Sequence, residues 1–322
     1  MHVFVSRTLP GDGLARLARE HDVEVWPGAL PPAPGELLAR VAGADALICL
    51  LTDAIDGALI DGAPRLRAIS NMAAGYDNID VAAATERRIP VGNTPGVLTE
   101  TTADLAFALI LACARRIVEA DRFVREGRWR TWDPGLLLGH DVHGATLGIV
   151  GFGEIGRAVA RRARGFDMRV LYASRTRVAA DEGAAQVDLD TLLRESDVVS
   201  LHTPLTAETT HLIGARELAL MKRTGILVNT ARGGLVDQAA LARALGGGTI
   251  GAAGLDVAEV EPIPAGDPLL AAPNIVLLPH IGSASHATRS RMAEMAVDNC
   301  LAGLAGRRLP NCANPEVYGD GA

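Results

Sequence analysis

Short apolar runs rich in β-branched residues recur along the chain, separated by stretches whose apolar residues fall three and four positions apart. In the first third the runs are "HVFVS", "VEVWP", "ALICLL", "RAISNM" and "IPVGN". They predict five strands. Between most of them lie helix-like stretches such as "GLARLAREH", where Leu14, Leu17 and Ala18 share one face. A second series begins with "TLGIVG" and continues through "MRVLYAS", "DVVSLHT", "GILVNT", "GAAGLDV" and "NIVLLPH". Strands alternating with helices in this way predict the α/β class, with parallel sheets covered by helices. Two series predict two separate sheets.

Between the series lies "NTPGVLTETTADLAFALILACARR", where Pro95 and Gly96 punctuate the chain and Thr99 or Thr101 is placed to cap a helix. That helix is apolar nearly all round, which predicts burial between domains or subunits. Its core, Leu105 to Ala114, is about half the length a bilayer requires. A last helix is expected over Ser285 to Leu304, with Met292, Met295, Ala296 and Leu304 at helical spacing. The loop-like "RRLPNCANPEVYG" that follows is expected to return to the first domain.

Composition narrows the function classes. The chain has 322 residues, 48% of them apolar, with 35 glycines, enough for two ordered domains. A formal charge of -7 argues against a general nucleic-acid field and leaves local anion sites open. Cys49, Cys113, Cys300 and Cys312 are scattered without C-x-x-C spacing, so neither a metal site nor a disulfide framework is expected. The opening "MHVFVSRTLP" carries no secretion pattern, and a reducing cytoplasm is the expected compartment.

The strongest local signal is "GIVGFGEIGRAVARR". Gly151, Gly153 and Gly156 stand between a predicted strand and a predicted helix, where a tight turn lets backbone N–H groups meet a dinucleotide pyrophosphate at the helix N-terminus. An Asp or Glu about 20 residues on usually holds the ribose hydroxyls of NAD. Here that place reads "YASRTR". Ser174, Arg175, Thr176 and the neighbouring Arg177 offer donors and positive charge, which suits the 2′-phosphate of NADP; solvated residues after a strand are the plain alternative.

Three further motifs, "NTARGGLVD", "GLDVAEVEP" and "LLPHIGSAS", close later strands, where an open α/β sheet places ligands. Singly, Arg232 reads as a surface charge, Glu261 as a turn residue and His280 as a hydrogen-bonded histidine. Together they are the parts for reducing a 2-keto acid: Arg232 holds the carboxylate and polarises the keto group, His280 donates a proton to the forming alkoxide, and Glu261 orients and charges the imidazole. No chemical role is assigned to His140, His143, His202, His211 or His286.

Over essentially its whole length the sequence resembles the D-2-hydroxyacid dehydrogenase family. "GYDNID", "NTPGVLTETTADLAFALIL", "GIVGFGEIG", "LHTPLTAETTHLI", "MKRTGILVNTARGGLVD", "GLDVAEVEP" and "LPHIGSAS" occur in the family's order. The resemblance implies two doubly wound parallel-sheet domains: a Rossmann cofactor domain, 99–285, inserted into a smaller flavodoxin-like substrate domain, 1–98 and 286–322, with the active cleft between them. It implies Arg232, Glu261 and His280 as the catalytic set. Glu154 and Ile155 then join the cofactor contacts, Asp256 and the backbone around Thr230 position the nicotinamide, and Pro204 and Thr209 lie near the adenosine. The backbone N–H groups of Ala74 and Gly75 bind the substrate carboxylate, shared with Arg232 and His280.

Within the family, "ICLLTDAID", "WRTWDP" and "YASRTR" most resemble glyoxylate and hydroxypyruvate reductases. This implies an NADPH-preferring homodimer, with NADH as the possible substitute, acting on small 2-keto acids and binding neither nucleic acid nor membrane. Trp129 and Trp132 have a plain reading as a subunit contact. The alternatives are an NAD-dependent dehydrogenase of a larger D-2-hydroxy acid, the small Ala73 and Ala74 leaving substrate size open, and a dinucleotide-sensing corepressor-like binding protein.

Overall fold

The computed structural model describes residues 1–175 and 183–319. The chain divides into two compact units, Met1–Leu98 with Ser283–Ala322, and Thr99–Gly282.

In the first unit β1 (His2–Val5), β2 (Asp22–Val25), β3 (Ala46–Cys49), β4 (Ala68–Asn71) and β5 (Val91–Gly92) form a parallel sheet in the order β2-β1-β3-β4-β5. That is the flavodoxin-like order. Successive residues of β1 enter opposite cores. Val3 and Val5 pack with Leu17 of α1 (Gly13–Leu17) and with Met292 and Ala296 of the C-terminal helix α11 (His286–Leu304). Phe4 packs with Leu37 of α2 (Pro34–Val41), Ile60 of α3 (Gly57–Asp61) and Ala84 of α4 (Val81–Glu86). A strand covered on both faces needs apolar residues at every position, so these strands read as unbroken apolar runs. After α11 the tail pairs back, with Cys312 bridging Gly92 antiparallel and Asn314 Oδ1 accepting from the Val91 N–H.

The second unit opens with α5 (Thr99–Ala114) and α6 (Ile117–Arg125). Its parallel sheet comprises β6 (Thr146–Val150), β7 (Arg169–Ala173), β8 (Ala185–Gln186), β9 (Val198–Leu201), β10 (Ile226–Asn229), β11 (Ala252–Leu255) and β12 (Ile275–Leu277). The strand order is β12-β11-β10-β9-β6-β7-β8, that of a Rossmann sheet. The direction of winding reverses between β6 and β9, which opens a crevice beyond their carboxyl ends. One face is covered by α5 and α7 (Glu154–Ala163), and the other by α8 (Leu189–Glu195), α9 (Ala215–Leu220) and α10 (Gln238–Gly246).

The predicted runs all become strands, with one addition. β8 consists of two exposed residues at the sheet edge, where neither face is buried and no apolar run is required. One face of α5 is accounted for within its own unit: its buried side chains, among them Phe107, Leu109 and Ile110, belong to the core of the second unit, where the helix packs on α7, β10 and β11. Side-chain caps fix several helix starts: Asp56, Asp80, Asp188, Asp237 and Ser285 each accept from a first-turn N–H, contributing about 1 kcal/mol apiece. Among the described residues no helix is long and apolar enough to cross a membrane.

Candidate active site

Gly151 follows β6 directly, at the winding reversal. Its φ is +89°, and a Cβ there would lie 2.6 Å from the backbone carbon and oxygen of His202, which follows β9. Only glycine meets both constraints. Gly153 caps α7 with open space where its Cβ would be, the shape a pyrophosphate needs over the first turn of that helix. Ile155 and Gly156 lie in the helix's opening turn; Glu154 heads it, its carboxylate held by the Thr99 hydroxyl at 3.1 Å. Beyond β10, the Thr230 hydroxyl is buried without a hydrogen-bond partner among the described residues. An open glycine cradle and an orphaned buried hydroxyl fit a dinucleotide.

At the end of β7, Ser174 O accepts from Gln186 Nε2 at 3.0 Å, and Arg175 is exposed. Arg175 lies close enough to Glu208 to help hold that carboxyl below its ordinary range, after the larger effect of the Thr206 hydroxyl. The loop after β9 therefore approaches the end of β7. In it Thr209 Oγ1 donates to Pro204 O at 2.8 Å and accepts from the Thr206 N–H at 2.7 Å, joining the two residues expected near the adenosine. Thr176 and Arg177 lie outside the described residues. His202 is half-buried 2.8 Å from Ser200 Oγ; desolvation pushes its pKa down to about 4, so it is neutral near pH 7.

Arg232, Glu261 and His280 come together beyond β10, β11 and β12. His280 Nδ1 lies 2.7 Å from Glu261 Oε2, and Glu261 Oε1 accepts from the Ala258 N–H at 3.0 Å. Burial alone would raise the Glu261 pKa. The His280 hydrogen bond, the Ala258 N–H and the charges of His280 and Arg232 outweigh it and hold the carboxyl below its ordinary range. Glu261 is thus an anion at neutral pH. The arginine reaches this pair through a close backbone approach: a Cβ on Gly233 would fall 1.9 Å from the carbonyl of Ala258, so glycine is obligatory beside Arg232. Asn229 clamps the same turn, donating to Arg232 O at 2.8 Å and accepting from the Ala231 N–H at 3.0 Å.

Asp256 supports the histidine from below. Its carboxylate accepts the Ile281 and Gly282 N–H groups, each at 2.7 Å, and its carbonyl accepts the His280 N–H at 2.9 Å. Burial raises the Asp256 pKa. His280 itself has φ +56°, a left-handed conformation that these bonds enforce. An imidazole with an anion on Nδ1 has its other ring nitrogen available for proton transfer, and the nearby guanidinium suits a carboxylate.

In the first unit, Ala74 and Gly75 follow β4. Asn93, which the sequence did not single out, donates from Nδ2 to Ala74 O at 2.7 Å, and Thr94 N–H donates to Ala73 O at 2.8 Å. Among the described residues neither the Ala74 nor the Gly75 N–H has an acceptor, and no group of His, Cys, Asp and Glu is arranged to hold a metal. A lone asparagine has no distinctive sequence signal; only proximity to the "GYDNID" turn points to it.

Residues 107–282 match the family of the D-isomer specific 2-hydroxyacid dehydrogenase, NAD binding domain. A glyoxylate reductase of Korarchaeum cryptofilum is 56% identical over 319 residues, covering 98% of this chain and 96% of that protein. Among solved structures, the TT0316 protein from Thermus thermophilus superposes with a TM-score of 0.93 at 53% identity, covering 97% of this chain and all of the other. An NADPH-dependent glyoxylate/hydroxypyruvate reductase from Sinorhizobium meliloti, in complex with NADP and malonate, gives a TM-score of 0.86 at 33% identity, covering 98% of this chain and 97% of that one. The chain belongs to the D-isomer specific 2-hydroxyacid dehydrogenase family. It is an NAD(P)-dependent oxidoreductase whose cofactor is a nicotinamide dinucleotide.

Proposed function

We propose that the protein is an NADPH-preferring reductase of small 2-keto acids, converting glyoxylate to glycolate and hydroxypyruvate to D-glycerate. The observation that carries this reading is the 2.7 Å His280–Glu261 pair with the Arg232 charge beside it. Arg232 is assigned to the substrate carboxylate and the keto oxygen, and the N–H groups of Ala74 and Gly75, without an acceptor among the described residues, to carboxylate binding. His280, charged by Glu261, gives its proton to the alkoxide as it forms. The bound nicotinamide supplies the hydride. Asp256 holds the turn that carries His280, and Thr230 offers its hydroxyl at the nicotinamide end. Gly151, Gly153, Glu154, Ile155 and Gly156 form the pyrophosphate turn, with Pro204 and Thr209 at the adenosine.

Cofactor preference rests on Ser174 and Arg175 standing where an acid would select NAD. The relatives named glyoxylate reductase support the substrate class. The enzyme works as a cytoplasmic homodimer: α6 has no buried residue, and Ile117, Val118 and Val124 on it, with Trp129, Trp132 and Leu138 after it, are all exposed, Trp132 to 78%. An apolar surface of this extent needs a partner, and a second copy supplies a matching one. His280→Ala is the direct test. It should abolish turnover of glyoxylate while the variant still binds NADPH, measured by nicotinamide fluorescence; turnover at the parent rate would overturn the mechanism.

A further inference from the structure

A buried polar network joins the loops that follow β1, β3 and β4 of the first unit. Asn71 is fully buried at the end of β4, and its Nδ2 donates to Gly75 O and to Asn78 Oδ1, both at 3.0 Å. Asn78 continues the relay: its Nδ2 donates to the carbonyls of Leu50 at 3.0 Å and Asp53 at 2.9 Å, and its own carbonyl accepts the Ile55 N–H at 2.9 Å. Asp53, only 3% exposed, closes the network by accepting from the Ser6 hydroxyl and, at 2.8 Å, from the Leu50 N–H. Two asparagines thus tie the turn 73–78 to a loop from the neighbouring strand.

The consequence lies in which groups of the turn remain free. The carbonyls of Ala73, Ala74 and Gly75 each accept a hydrogen bond, from Thr94 N–H, Asn93 Nδ2 and Asn71 Nδ2. The N–H groups of Ala74 and Gly75 donate to nothing among the described residues. Unpaired backbone donors in a half-buried turn are uncommon, and a turn fixed through its carbonyls holds its donors ready for an anion. We propose that Asn71 and Asn78 are positioning residues that preorganise the Ala74–Gly75 turn for the substrate carboxylate, a proposal that rests on the carboxylate-binding role given to that turn above. They act through backbone geometry and touch no reacting atom. Preorganisation of this kind appears in substrate affinity, because the cost of ordering the turn is met before binding.

Asn78→Ala should raise the KM for glyoxylate about tenfold, with kcat changed by less than about threefold and the NADPH dissociation constant unchanged. Asn71→Asp provides a near-isosteric second variant, since the donor to Gly75 O becomes an acceptor, and it should shift KM in the same way even if the alanine variant folds poorly. Binding of oxamate, an unreactive carboxylate resembling glyoxylate, is measured in parallel on the NADPH complex by calorimetry. Weaker oxamate binding in both variants, with the NADPH dissociation constant unchanged, supports the proposal. Parent-like KM and oxamate affinity overturn it, as does an equal loss of kcat, KM and cofactor affinity, which would mark general damage. If the parent enzyme itself binds no oxamate, the carboxylate-binding reading of the turn fails instead.

Discussion

Replacing Glu261 by Gln separates charge from shape at the proton-donating pair. The amide is nearly isosteric, so the 3.0 Å bond from the Ala258 N–H is retained while the anion 2.7 Å from His280 Nδ1 is lost. Reduction needs the imidazole protonated, and the anion stabilises that form. A hydrogen bond to a charged group contributes about 1.5 to 3 kcal/mol, and solvent screening around a carboxylate that is 34% exposed favours the lower end. At about 1.4 kcal/mol per factor of ten, this amounts to roughly a tenfold loss. Reductive kcat/KM of Glu261→Gln should therefore fall roughly tenfold or more below the parent at about pH 7, while the NADPH dissociation constant is unchanged. The assay is nicotinamide absorbance at saturating cofactor, with fluorescence titration of the cofactor in parallel. A parent-like kcat/KM would refute the pairing.

Arg175→Ala removes the positive side chain at the end of β7. If it holds the 2′-phosphate through one charge-assisted bond, the affinity for NADPH should fall roughly tenfold to a hundredfold, with little change for NADH, as read by fluorescence titration. Equal losses for both cofactors would remove Arg175 from phosphate recognition. For the proposed homodimer, the parent should sediment as a dimer and the double substitution Val124→Asp with Trp132→Ser as a monomer in analytical ultracentrifugation; a monomeric parent or an unchanged sedimentation coefficient would overturn that interface. Asp45 offers a stability test. Burial opposes its charge, but the His2 N–H at 2.7 Å and the two-pronged contact with Arg65 hold its pKa below the ordinary value. A depressed acid stabilises the fold above its unfolded pKa of about 3.9 and loses that contribution as pH falls through the folded value. Asp45→Ala should then cost about 1 to 2 kcal/mol in urea unfolding at pH 7 and much less near pH 3; a deficit independent of pH would assign the loss to packing.

The strands were legible because burial on both faces forces runs such as "ALIC" and "ILVN", and a two-residue edge strand like β8 escapes because nothing buries it. An all-round apolar helix announces burial without naming its neighbours, so α5 reads as buried while its packing on α7, β10 and β11 is visible only in the folded chain. The glycines of "GFGEIG" were readable because a positive φ and a close approach leave no other residue possible at Gly151. Arg232, Glu261 and His280 were recognisable only as a set. What brings them together is non-local: the contact of Gly233 with Ala258 and the capture of the 281–282 backbone by Asp256. Asn71, Asn78 and Asn93 were illegible, since an asparagine after a strand reads equally as a turn former, and only the folded chain shows which carbonyls it meets.

The most direct test is steady-state reduction of glyoxylate and hydroxypyruvate by the purified protein, comparing NADPH and NADH as kcat/KM. Turnover of both acids, with NADPH favoured by about tenfold or more, is the expected result. An NADH preference would contradict the reading of Ser174 and Arg175, and no turnover with either cofactor would contradict the assignment of small 2-keto acids as substrates.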